Sequence, residues 1–106
     1  MKFINLTPHA LTIEGLGTIQ PSGTVARVES TPQQRLSVAG IRVRENVFGA
    51  VQGLPVAELG TVLIVSAMVL AAVRSRAGID VFAPDTGADA VRNDKGHIVS
   101  VKGLVF

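Results

Sequence analysis

The chain has no cysteine, no tryptophan and no tyrosine, and only four phenylalanines among its 106 residues. Without cysteine there is no disulfide framework and no thiolate metal site, which suits a reducing compartment. The shortage of aromatic rings removes stacking platforms for single-stranded nucleic acid. A strong charge of one sign is also missing: ten Lys and Arg stand against eight Asp and Glu, a formal net charge of +2. General nucleic-acid binding is therefore not expected. The two histidines, His9 and His97, show no metal-ligand spacing with each other or with a carboxylate, so no metal and no other cofactor is expected. The longest apolar stretch, Leu59–Val73, falls short of the ~20 residues a membrane-spanning helix needs and ends at Arg74 and Arg76. No membrane partner is expected. The N-terminal run MKFINLTPH lacks the apolar core of a signal peptide, which points to the cytoplasm.

What is present is apolar. Hydrophobic residues make up 47% of the chain, and the mean hydropathy is +0.43. This excludes general disorder and is enough for a single compact domain over 1–106 with a core of its own. Apolar surface left over would serve a homo-oligomer.

The chain is organised around Gly60–Gly87. Thr61–Val65 (TVLIV) is a β-branched and aliphatic run of the kind that forms a strand buried on both faces. Ser66 is placed to cap a helix by accepting a backbone N–H of its first turn. Ala67–Arg76 is rich in helix formers, Arg74 and Arg76 suit a last turn, and Gly78 suits a stop. A helix over about 67–77 follows. Ile79–Ala83 is a further strand, and Pro84–Gly87 (PDTG) is a turn.

Lys2–Leu6 and Ala10–Glu14 read as strands around a Thr7-Pro8-His9 turn. Thr24–Glu29 alternates as a strand does. Ser30–Arg35 is polar throughout and reads as a loop, with a short strand over Leu36–Ala39. In Ile41–Glu45, Ile41 and Val43 are expected to face inward and Arg42 and Arg44 outward. Val47–Val51 either continues that strand or pairs back on it, with Gly49 suited to a bulge. Ala88–Arg92 and His97–Lys102 flank Asn93-Asp94-Lys95-Gly96, the clearest hairpin signal present. The expected fold is α+β and mainly β: a small barrel or sandwich of short strands with one helix, the helix between two strands allowing a local βαβ unit.

Asn5-Leu6-Thr7-Pro8-His9 is a distinctive N-terminal run. With it go Pro21-Ser22-Gly23, Ala26-Arg27, Gly53-Leu54-Pro55, Gly60-Thr61, Ile64-Val65-Ser66, Asp80-Val81 with Pro84, and Val91-Arg92 with Gly96 and Ile98. Over nearly the whole chain this resembles a family of short proteins of bacterial genomes and their phages. The resemblance implies a phage or prophage setting in the host cytoplasm and no particular chemistry.

The candidate ligand-binding residues are His9, Arg27, Ser66, Asp85 and Arg92; none is assigned a catalytic role. Arg27 and Arg92 could grip a phosphate if both strands present them to one side; the bland alternative is a solvated sheet face. Ser66 at a strand-to-helix junction could contact an anion or serve only as a cap. It lacks the Gly-x-Ser-x-Gly frame of a nucleophile elbow. His9 could contact a ligand or act as a base, or be a turn residue. Asp85, Asp80, Asp89 and Asp94 could converge, but Asp85 and Asp94 lie where Asp stabilises turns, and Asp80 could pair with Arg74 or Arg76.

The foremost expectation is a non-enzymatic module that binds a small anionic, nucleotide-derived ligand; in a phage setting it would sequester a signal. The alternative is a structural or host-protein-binding accessory without a small ligand. A small nucleotide hydrolase using His9 with Asp80 or Asp85 comes last.

Overall fold

The strand Thr61–Ile64 lies at the centre of the computed structural model, which describes residues 1–106. Leu63, Ile64 and Val65 are at most 2% exposed, so this run is buried on both faces, as its composition requires. In chain order the elements are β1 (Lys2–Asn5), β2 (Leu11–Ile13), β3 (Gly17–Ile19), β4 (Ser30–Val38), β5 (Ile41–Phe48), β6 (Thr61–Ile64), α1 (Ala67–Ala72), β7 (Val81–Pro84), β8 (Val91–Arg92), β9 (Ile98–Ser100) and β10 (Leu104–Val105). The protein is mainly β with a little helix.

A four-stranded sheet has the order β1-β6-β7-β10. β1, β6 and β7 run parallel and β10 antiparallel to β7. The local βαβ unit is therefore present, as β6-α1-β7. On one face of β6, Leu63 and Val65 pack with Leu6, Ala26, Val69, Leu70, Val81 and Ala83. On the other, Ile64 packs with Ile13 and Val101. Three two-stranded ribbons, β2-β3, β4-β5 and β8-β9, complete the fold. None of the sheets closes into a barrel. No helix is long and apolar enough to cross a membrane.

Several local expectations need correction. The helix covers Ala67–Ala72 and stops well before residue 77. Past its cap at Val73, the Arg76 carbonyl accepts from the N–H groups of Ile79, Asp80 and Val81, so tertiary folding of the return segment overrides helix propensity. Arg74 and Arg76 lie beyond the helix, not in its last turn. Thr24–Glu29 is no strand: Arg27 alone pairs, in a single bridge to Gln52. Ser30–Arg35 is no loop but most of β4. Ile41 and Val43 do not face inward; they are 66% and 36% exposed. β5 runs straight through Glu45-Asn46 to Phe48, and the one register shift of its pairing with β4 lies between Gln34 and Leu36 rather than at Gly49.

β4 and β5 form an arm. They pack chiefly on each other, and apart from the half-buried Ser30 and Val47 every residue in them is exposed. The turn at its tip is Ala39-Gly40, with φ of 49° and 78°, the two positive values of a tight hairpin turn matched to strand twist. At the base, Arg27 and Gln52 exchange both backbone hydrogen bonds at 2.8 Å, and Gly49 N–H donates to the Glu29 carbonyl at 2.9 Å. A nine-residue strand spans roughly 30 Å, which accounts for the long 49 Å axis of a chain this small.

Candidate functional site

Because β1, β6 and β7 are parallel, their carboxyl ends lie on one side of the sheet. Open parallel sheets bind ligands at that edge. The segments that follow the three strands carry Thr7 to His9, Ser66, and Asp85 to Gly87.

Asn5, 1% exposed, organises the first of these loops. Its Nδ2 donates to the carbonyls of His9 at 2.8 Å and Ile19 at 3.1 Å. Its Oδ1 accepts from Thr7 N–H at 3.0 Å and from Thr7 Oγ1 at 2.6 Å. The Thr7 hydroxyl also lies 3.1 Å from the His9 carbonyl. The distinctive Asn-Leu-Thr-Pro-His run is thus a hydrogen-bonded knot that ties the loop after β1 to β3. Asn5 was not among the expected site residues, although the motif that holds it is conspicuous.

His9 is exposed, and what the knot uses is its carbonyl rather than its ring. His9 borders a shallow groove of about 300 Å³ with Thr7, Leu11, Ser66, Pro84 and Thr86. Ser66 caps the helix, its Oγ accepting Val69 N–H at 3.3 Å, and this leaves the hydroxyl proton free to donate. A helix of six residues sums few peptide dipoles, so it adds little attraction for an anion there. Ser66 also borders a second groove of about 580 Å³, between the helix and the base of the arm, with Arg27, Glu29, Gln52 and Met68. Arg27 and Ser66 therefore share one groove, and His9 and Ser66 share the other.

Arg92 borders neither groove. Its guanidinium donates to the Gly96 carbonyl at 3.0 Å and reaches the Thr86 carbonyl at 3.5 Å, which ties the β8-β9 hairpin to the loop after β7. Arg27 and Arg92 thus do not form a joint phosphate grip. Asp85 Oδ1 accepts Gly87 N–H at 3.2 Å, so its carboxylate is engaged in its own turn. Asp80 is nine-tenths buried and bonds Arg76, Oδ1 to Nε at 3.2 Å. The Arg76 guanidinium holds the Asp80 carboxyl below the usual carboxylate range, and the same bond raises Arg76. No three His, Asp or Glu side chains come together as a metal site would require.

Gln52, with Glu29, is a polar groove residue that sequence reasoning missed. Nothing in its surroundings marks it, because its place is set by the backbone pairing with Arg27. The larger groove thus offers a guanidinium with no ion-pair partner in the chain, an amide, a free hydroxyl proton and the Glu29 carboxylate. These groups can hold a polar ligand; no acid–base pair is poised on a nucleophile. No family model, no curated protein and no solved structure matches this chain.

Proposed function

We propose that this protein is a non-enzymatic interaction module whose β4-β5 arm is its protein-binding surface. The observation that carries the reading is the arm's apolar face. Opposite residues of a hairpin share a face, so the pairs Val38–Ile41 and Leu36–Val43 form one apolar patch. These four residues are 54%, 66%, 51% and 36% exposed, with no element of the chain over them. A lone two-stranded ribbon is marginal in water, and a contiguous exposed apolar patch marks an interaction surface. In the phage setting suggested by the N-terminal run, the module would serve assembly or engage a host protein.

The test is a photo-reactive phenylalanine derivative placed at Val38 in cells that make the protein. The expected product is one discrete cross-linked protein species, lost when Val43→Asp is added. A diffuse smear, or a product indifferent to Val43→Asp, would sink this reading.

A second reading, a small anionic ligand sequestered by the chain, is favoured by the groove at Arg27, Gln52 and Ser66. Its volume of about 580 Å³ is within the range of small-molecule sites, roughly 300–1,000 Å³. Native mass spectra taken after exposure to a small-molecule extract should then show an adduct of a few hundred daltons, on the order of one nucleotide's mass, in a site of that volume. A folded Arg27→Ala variant that retained the adduct would remove the groove from consideration.

A further inference from the structure

We infer that the groove between α1 and the base of the arm takes an extended peptide segment of a partner protein, added as a short strand beside Val28. This rests on the groove being a binding site, as in the second reading above, and names its ligand as a peptide with a charge of each sign.

The main chain offers the edge. Arg27 exchanges both backbone hydrogen bonds with Gln52. In an antiparallel pair the residues to either side then turn their N–H and C=O groups to the opposite edge. On that edge Ala26 N–H donates to the Leu6 carbonyl at 3.0 Å, while neither the N–H nor the C=O of Val28 has a partner in the chain. Glu29 turns back toward the arm, its carbonyl accepting Gly49 N–H. Pro32, further along the same edge, has no N–H to offer. The open edge is therefore short, closed by Leu6 at one end and Pro32 at the other, and Val28 on it borders the groove. An unpaired strand edge is a template for another strand, and such addition is a recurring way to hold an extended peptide.

The side chains select the occupant. Arg27 and Glu29 flank Val28 and share the face opposite its side chain, roughly 7 Å apart along the strand. Neither is in an ion pair, and both line the groove. A phosphate drawn to Arg27 would meet the Glu29 carboxylate. An added strand carries its side chains at the same spacing, so an acidic residue opposite Arg27 and a basic one opposite Glu29 satisfy both. The residue between them lies on the Val28 side. Val28 packs on the main core, and Met68 of α1, 50% exposed, also lines the groove, so an apolar residue fits there. The ligand is thus an alternation of acidic, apolar and basic residues, which a nucleotide does not present.

The test uses the purified full chain and two capped pentapeptides with glutamate, leucine and lysine at the centre, in that order and in the reverse order. The direction of the added strand decides which charge meets which. Wild type is therefore expected to prefer one order about fivefold or more, as two cross-strand charge pairs allow. Arg27→Glu combined with Glu29→Arg should reverse the preference. Both side chains are exposed, and circular dichroism checks that the variant is folded. In wild type, hydrogen exchange of the Val28 amide should slow when the preferred peptide is added, and the same peptide N-methylated at its leucine should lose that effect. Equal binding of the two orders, or a preference that the charge swap leaves unchanged, overturns the inference. So does binding that leaves Val28 exchange as it was. Failure of both peptides to bind at about 1 mM, the level of a weak contact, overturns it as well. If a nucleoside monophosphate then binds wild type and not Arg27→Ala, the groove stands as an anion site; if that too fails to bind, the second reading falls with the inference.

Discussion

Asn5→Ala is expected to lower the free energy of unfolding by about 3–5 kcal/mol, a large part of the 5–15 kcal/mol that holds a domain of this kind folded. The substitution removes two donors and one acceptor that serve four partners. The carbonyls of His9 and Ile19 lose the amide, and Thr7 N–H loses its acceptor at the end of a buried strand. Each unsatisfied buried group costs roughly 1–3 kcal/mol. The cavity adds to this, because Asn5 is 1% exposed. Thr7→Val, which removes only the hydroxyl, should cost about 1 kcal/mol, the ordinary net worth of one hydrogen bond. Urea unfolding of the two variants gives the comparison. A loss for Asn5→Ala no greater than for Thr7→Val would show that the loop holds its shape without the knot.

Gly53→Ala is expected to cost about 2–4 kcal/mol, well above what the same change costs at Gly60. Both glycines have φ of +80°, and a Cβ in that conformation costs about 1–2 kcal/mol at either. They differ in their surroundings. A Cβ at Gly60 meets nothing within 4 Å, whereas at Gly53 it stands 2.6 Å from the Val25 carbonyl oxygen and 3.4 Å from Ala26 Cα. Those atoms are backbone, and they cannot swing aside as a side-chain tip can. Ala26 is 5% exposed in the main core, and Arg27 next to it is fixed to Gln52. The added methyl must therefore displace the segment that anchors the arm. Thermal unfolding of Gly53→Ala and Gly60→Ala side by side isolates the steric part. Equal losses would mean that the Val25–Gly53 contact yields freely.

The head of the molecule was readable from residue order because its strands bury side chains and its turns use residues with one conformational purpose. Thr61–Val65 has no polar face to expose, and Asn93-Asp94-Lys95-Gly96 does form the turn its glycine suits, with Asn93 Oδ1 accepting from Lys95 and His97 N–H at 2.9 and 3.0 Å. The arm was not readable. Alternation tells that a strand has two unlike faces and is silent on whether this chain covers either, so Ile41 and Val43 were assigned to a core they never enter. Ser30–Arg35 shows no alternation because little packs on it. Its partner is fixed by a turn at Ala39-Gly40 whose first residue is an unusual one for positive φ. The candidate site was half legible. Arg27 and Ser66 do meet at one groove, but the pairing that brings Gln52 to it is a backbone event. Arg92 spends its guanidinium on two carbonyls, a use that no local pattern signals.

The parallel pairing of Lys2 with Thr61 and Asn5 with Ile64 sets the order in which a newly made chain can fold. The first strand leaves the ribosome long before its partner does, and parallel strands joined over such a distance pair slowly. The β4-β5 hairpin needs only its own residues and can close meanwhile. It then occupies part of the interval between β1 and β6 and shortens the free chain that must be looped. Since closure entropy rises only slowly with loop length, the arm could be lengthened or shortened at its tip with little effect on the stability of the head. Its reach is therefore set apart from the sheet beneath it, and a change at the tip leaves that sheet as it is.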